Sequence, residues 1–237
     1  MFATASVTSF FEGLRVSMPF LLVAGPFGLL FGVVGTEAGL NIAEVMGFTI
    51  FVVAGAAQLT ALQLLADNAP VVIVLLSSLA VNLRMAMYSA SLAPHLGAAP
   101  LWQRALAAYW MFDPNYAVAM ARYETGPKMP LAERVAFYFG SSMAIAPLWY
   151  AMTFVGALIG RTVPQGLALD FVLPINFLAL IGPVLRTPAH VAAALVATLL
   201  GLLTAGIPYN LGLLVAAAAA IATGAEVERR MNRRTVA

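Results

Sequence analysis

The 237-residue sequence predicts an all-α fold, a polytopic bundle of seven or eight transmembrane helices with discontinuous helices and a candidate internal repeat. Three observations lead there. First, 62% of the residues are hydrophobic and 9% are charged, with a mean hydropathy of +0.93, whereas a soluble domain carries about 25% charged residues. Second, the apolar runs are long enough to cross about 30 Å of hydrocarbon, which takes about 20 helical residues; a membrane barrel would show only short alternating segments. Third, several runs are interrupted by Gly, Pro and isolated polar groups, the pattern of helices that break inside a membrane.

Eight apolar segments can be drawn, near 14–35, 45–65, 70–92, 102–122, 136–160, 168–185, 188–206 and 209–226, joined by short connections within a single membrane domain, 1–237. The start, MFATASVTSFFEGLRV, lacks the charge order of a cleaved signal peptide, so the N-terminus is expected to be retained. Arg229, Arg230, Arg233 and Arg234 crowd the C-terminus and read as an anchor to cytoplasmic membrane lipid rather than a nucleic-acid patch. Eight crossings from a cytoplasmic C-terminus put Arg15, Arg122, Lys128, Arg134 and Arg186 inside and Arg104 and Arg161 outside, with both termini cytoplasmic. Segments six and seven are short and interrupted, so a re-entrant pair and a seven-span count stay open.

The chain resembles itself. FGLLFGVVGTEAGL (27–40) aligns with VGALIGRTVPQGL (155–167) through Gly28 and Gly32 against Gly156 and Gly160. FVVAGAAQL (51–59) then aligns with FLALIGPVL (177–185) through Gly55 and Gly182, and Pro70 and Pro188 each open the next run. The order of small-residue helix, Gly-interrupted helix and Pro-initiated helix therefore occurs twice, in candidate halves 10–124 and 132–226. Secondary transporters are often built so, although small-xxx-small spacing also serves helix packing alone.

In the third segment, SLAVNLRMAMYSASL (78–92), Arg84 stands alone among apolar residues. A guanidinium at mid-bilayer costs about 2.5–3.5 kcal/mol on insertion scales and keeps its proton, so it needs a partner or water. Helical spacing sets Ser77, Arg84, Tyr88 and Ser91 on one stripe and Ser78, Asn82 and Ser89 on another. Arg84 reads either as a structural or snorkelling cation, or as the holder of a substrate carboxylate or of the chain's own Asp.

That Asp is in the fourth segment. Asp113-Pro114 falls at the centre of WQRALAAYWMFDPNYAVAMARY, where proline removes a donor and disfavours helix at the preceding residue. A kink or break is expected there, with Asn115 and Tyr116 lining a cavity, because backbone freed at membrane depth needs protein or water around it. In the second segment Gln58 follows the small-residue run Ala54 to Ala57 and is a candidate for ligand contact or for an interhelical hydrogen bond. Its counterpart region holds Pro174, Asn176, Gly182 and Pro183, again an interrupted helix, and Pro208-Tyr209-Asn210 could be a third break. The candidate substrate-binding set is therefore Arg84, Asp113, Gln58, Asn82, Tyr88, Asn115 and Asn176.

Other chemistries find little support. Absence of Cys excludes disulfides, thiol catalysis and thiolate metal sites. His95 and His190 lie near segment ends without metal-ligand companions, and HExxH, GxSxG and P-loop patterns are missing. No enzyme, cofactor or nucleic-acid role is expected.

At GAAQ (55–58), NLRMAMYSASLAP (82–94) and YWMFDPNYA (109–117) the sequence resembles the AzlC family, the large subunit of branched-chain amino acid exporters. FFEGLRVSMPFLLVAGPFGLLFG (10–32) resembles that family's N-terminal region as well, so the distinctive motifs cover 10–160. The resemblance implies a permease of the bacterial inner membrane that exports Leu, Ile, Val and Met at the expense of the proton-motive force. It also implies protons as coupling ion and a small hydrophobic AzlD-like partner subunit. Pro114 stands where the family has a second acidic residue, which puts a two-carboxylate proton relay in doubt. The alternative reading is an uncoupled channel or pore subunit for a small polar solute.

Overall fold

In the computed structural model, residues 2–160, 185, 187–207 and 211–236 are described, and every regular element among them is helical. The helices are α1 (Phe2–Ser17), α2 (Leu21–Glu37), α3 (Ile42–Phe51), α4 (Gly55–Ala66), α5 (Val71–Leu96), α6 (Leu101–Tyr109), α7 (Asp113–Thr125), α8 (Leu131–Gly160), α9 (Pro188–Leu203) and α10 (Leu211–Val236). Four stretches are long and apolar enough to cross a membrane: Ser6–Glu37, Val71–Leu96, Leu131–Gly160 and Leu211–Met231. The expected sixth segment, Asn176, and the candidate break at Pro208-Tyr209-Asn210 lie outside the described residues.

The first expected span starts earlier than its apolar pattern. A short 3-10 turn at Met18–Phe20 links α1 to α2, where Pro19 cannot donate to the ladder, and helix continues on both sides. The second and fourth spans are each two helices. Val52, Val53 and Ala54 separate α3 from α4, just before the expected interruption at Gly55. Trp110, Met111 and Phe112 separate α6 from α7. The fourth-span break therefore lies three residues ahead of Asp113-Pro114 rather than at it. Pro114 occupies the first turn of α7, where a helix has no intrahelical acceptor to offer its N–H, so the ring initiates a helix instead of kinking one.

The chain divides into two compact units, Met1–Leu62 with Val81–Leu167, and Gln63–Ala80 with Ala168–Ala237. In the first, α8 is the central strut. It packs along α1 and α2 and also meets α3, α6 and α7. Close approach is possible because small residues face each other. A Cβ on Gly13 would overlap the Phe137 carbonyl, one on Gly140 the Phe10 carbonyl, one on Gly32 the Thr153 carbonyl and one on Gly156 the Leu29 carbonyl. Gly28 and Gly32 thus meet the same crossing as Gly156 and Gly160, the glycines matched in the sequence. Ser17 and Ser141, both fully buried, share a 2.6 Å hydrogen bond across it. Contacts climb in step, Phe10 with Gly140, Gly28 with Trp149, Val33 with Gly160, so α1–α2 and α8 run parallel. Parallel spans need an odd number of crossings between them. Since α5 is one crossing, the two broken helices must behave alike, both crossing or both turning back.

In the second unit, Ala69 N–H closes on Leu64 O with Asn68 at φ 54°, an Asn terminating α4 in the left-handed conformation. There α9 and α10 form an antiparallel hairpin: Gly212 lies against Thr204, and Gly224 against Ala193 and Ala189. Leu75, Leu76, Leu79, Leu83 and Met87 form an exposed apolar stripe along α5, as a lipid-facing helix surface would.

Packing at this density sets a prediction. Gly32→Leu or Gly156→Leu drives a side chain into backbone that cannot rotate away, whereas Gly47→Ala enters open space. Thermal melts in detergent should show the first two destabilised by about 1–3 kcal/mol or more and the third within about 0.5 kcal/mol of the parent.

Candidate functional site

The two breaks meet. Val53 from the first and Trp110 and Phe112 from the second join one apolar cluster with Ala24 of α2 and with Ala144, Ile145, Ala146 and Tyr150 of α8. Tyr109, the last residue of α6, donates its hydroxyl to the Ile50 carbonyl in the last turn of α3 at 2.8 Å, and lies 3.2 Å from the Tyr150 hydroxyl. A phenol thus satisfies a carbonyl that the break would leave open.

The second break is held by Asn115. Its Oδ1 accepts from Phe112 N–H at 2.8 Å, and its Nδ2 donates to the Trp110 carbonyl at 2.7 Å and to Ser142 Oγ at 2.8 Å. Tyr138 of α8 donates to the Ala107 carbonyl at 2.9 Å. Asn115 and Ser142 are fully buried. Asn115, nominated as a ligand contact, has its whole carboxamide committed to the interrupted backbone.

Arg84 sits at the middle of the 26-residue α5, about 18 Å from either end at 1.5 Å per residue. A snorkelling guanidinium reaches neither surface from there. Its Nη1 is 3.0 Å from Asp113 Oδ2, with both side chains about 30% exposed. Asp113 is the first residue of α7, so the positive end of the helix dipole faces it as well as the guanidinium. Tyr88, one turn on from Arg84, lies beside both charges and stacks on Tyr116 at 3.9 Å and 13°. The expected pairing of the third-span Arg with the fourth-span Asp is therefore present, and Tyr88 belongs to it.

The pair is incompletely used. Arg84 Nε and Asp113 Oδ1 are buried atoms without a hydrogen-bond partner among the described residues. That leaves one donor on the cation and one acceptor on the anion unused.

Gln58 is in the first turn of α4, fully buried, with neither Oε1 nor Nε2 partnered. Its helix is seated by Gly55, whose missing Cβ makes room for Phe27 and Trp149, rings stacked at 5.7 Å. Trp149 Nε1 in turn donates to the buried Thr49 Oγ1 at 2.8 Å. The interhelical hydrogen bond expected as the common role for such a Gln is not made among the described residues. Asn82 is two residues from Arg84 and so on another face of α5; its Oδ1 is buried without a partner. Among the described residues no group of three or more His, Asp or Glu could hold a metal ion.

Tyr109, Tyr138, Ser142 and Trp149 were not singled out in the sequence. Ser141-Ser142 in an otherwise apolar span was the one local signal available, because buried hydroxyls in lipid need partners. The aromatic residues gave none.

A half-buried ion pair at mid-helix, two abutting helix breaks and long apolar helices define a polytopic membrane protein with a polar interior site, the architecture of a membrane transporter. Residues 19–163 match the family described as AzlC protein, and the chain belongs to that family. It is 28% identical over 210 residues, 84% of either chain, to inner membrane protein YgaZ of Escherichia coli (strain K12). No solved structure matches. The family match runs from α2 through α8 and so covers both breaks and the ion pair.

The Asn115 network makes a test. Asn115→Leu strands the Phe112 N–H at membrane depth and leaves the Trp110 carbonyl only the 3.3 Å bond from Ser142 Oγ, and Asn115→Asp keeps the acceptor but loses both donated bonds. Leu should cost about 2–4 kcal/mol and Asp somewhat less, read as melting temperature and as accelerated hydrogen exchange around 110–115.

Proposed function

We propose that the chain is a secondary transporter that exports the branched-chain amino acids Leu, Ile and Val, and with them Met, across the bacterial inner membrane. The observation that carries this reading is the half-used ion pair: Asp113 Oδ1 offers an acceptor to an ammonium group, while positive charge nearby offers a place for a carboxylate. A zwitterion has those two groups on one carbon. Arg84 is one candidate for the carboxylate and an open helix N-terminus is the other. The apolar side chain would rest against the cluster at the breaks, which includes Val53, Phe112 and Ile145. No hydrogen-bond donor beyond the backbone is needed for a branched aliphatic chain, which fits that substrate class.

Coupling follows from the same pair. Asp113 is a carboxyl group able to exchange a proton, and Arg84 is the cation that faces it. Movement that separates the two releases Asp113 to exchange a proton, and movement that restores them expels it. Alternating access of this kind makes protons the coupling ion. A small hydrophobic AzlD-like subunit is proposed as partner on family membership, and the arginines of α10 as a cytoplasmic anchor to lipid, with both termini cytoplasmic.

Cells given a leucine, valine or methionine dipeptide pulse test the reading. Removing the gene should raise the intracellular amino acid several-fold, and Arg84→Gln or Asp113→Asn at normal expression should reproduce the deletion. The reversed pair, Arg84→Asp with Asp113→Arg, should recover thermal stability without recovering export. Full export by both single variants would sink the proposal, and export indifferent to a proton uncoupler would select an uncoupled pore.

A further inference from the structure

The two breaks create four helix ends, and their hydrogen bonding is unequal. At the end of α3, Val52 N–H bonds Phe48 O at 2.8 Å and Tyr109 caps the Ile50 carbonyl. At the end of α6, Trp110 N–H bonds Leu106 O at 2.9 Å, Tyr138 caps Ala107 and Asn115 caps Trp110. At the start of α7, Asn115 takes Phe112 N–H, Pro114 has no N–H, and Asp113 supplies negative charge. Protein groups attend all three.

The start of α4 differs. Gln58 N–H to Ala54 O at 2.9 Å is its first intrahelical bond, so Ala54 is the capping residue. Alanine has no side-chain acceptor, and the N–H groups of Gly55, Ala56 and Ala57 lead the helix without one. Gln58 stands one turn along, on the face of Gly55, and helical side chains lean toward the N-terminus. Its carboxamide therefore lies over this open turn. It is fully buried and has no partner among the described residues, an unfavourable state for a carboxamide in a site with no occupant. Thr153, one turn beyond Trp149 on the wall against which Gly55 is seated, is also fully buried with an unpartnered hydroxyl.

We propose that the first turn of α4, Gly55 to Gln58, is the subsite for the carboxylate of the transported amino acid. Main-chain N–H groups and Gln58 Nε2–H donate to its oxygens, the positive helix end balances its charge, and the Phe27–Trp149 pair borders it. Gly55 is required because any side chain there meets Trp149 and Phe27. Asp113, beside the abutting break, takes the ammonium, and Arg84 remains the counter-ion of Asp113. This assignment rests on the amino-acid export reading and chooses between its two carboxylate candidates.

The test uses the full chain in lipid nanodiscs, with labelled leucine displaced by unlabelled leucine or by leucinamide, which keeps the ammonium and lacks the carboxylate. The parent should prefer leucine by about tenfold or more. Gln58→Glu, which places a like charge at the subsite, should weaken leucine by at least that factor and leave leucinamide within about threefold. Gln58→Met, close in volume and without a donor, should lower the preference in the same direction and covers the case in which the glutamate variant fails to fold. Arg84→Gln should weaken both ligands together and keep their ratio. A ratio retained in both Gln58 variants and lost in Arg84→Gln overturns the assignment while amino-acid export stands. A parent that binds no leucine overturns both.

Discussion

A helix interrupted inside a membrane must find partners for the backbone groups that the interruption frees, and this constraint organises the first unit of the protein. The partners come mainly from α8 and from the breaks themselves. Tyr138 and Ser142 of α8 serve the α6 end, Asn115 bridges both sides of its own break, and Tyr109 reaches from one break to the other. Interruption of two helices is thus a shared arrangement rather than two local defects. The first break depends on a residue of the second, and the second on α8.

What holds α8 in position is close packing rather than charge. Lipid is as apolar as leucine, so helices in it associate through contact area and approach distance, and glycine allows both. Gly13, Gly28 and Gly32 on one side and Gly140, Gly156 and Gly160 on the other let α1–α2 and α8 lie backbone to backbone. The buried Ser17–Ser141 bond adds direction to a contact that dispersion makes strong. A firm strut on one side and abutting breaks on the other leave polar groups at fixed positions, as a selective site requires.

Placing the ion pair at the start of α7 also has a physical basis. Asp113 stands where both the Arg84 guanidinium and the positive end of α7 face it, so two sources of positive potential converge on one carboxylate. Tyr88 and Tyr116 stack beside it and pack against the apolar cluster of Leu92, Leu96 and Met111.

The amino-acid order by itself determined the class of protein, the two exceptional charges and the approximate places of interruption. Hydropathy is summed over long windows and an isolated Arg or Asp in such a window stands out against it, so Arg84, Asp113 and Gln58 were legible. Tertiary structure decided the roles. Asn115 looks like a ligand contact in sequence and proves to hold the break, because a carboxamide cannot be told apart from its possible partners until the backbone around it is placed. The fourth-span break moved ahead of Asp113-Pro114 for a similar reason: proline marks where a helix can begin, while Tyr138, Ser142 and Asn115 determine which carbonyls upstream can be left open. Which helix end stays uncapped is a relation among four termini and α8, and no single stretch of sequence carries it.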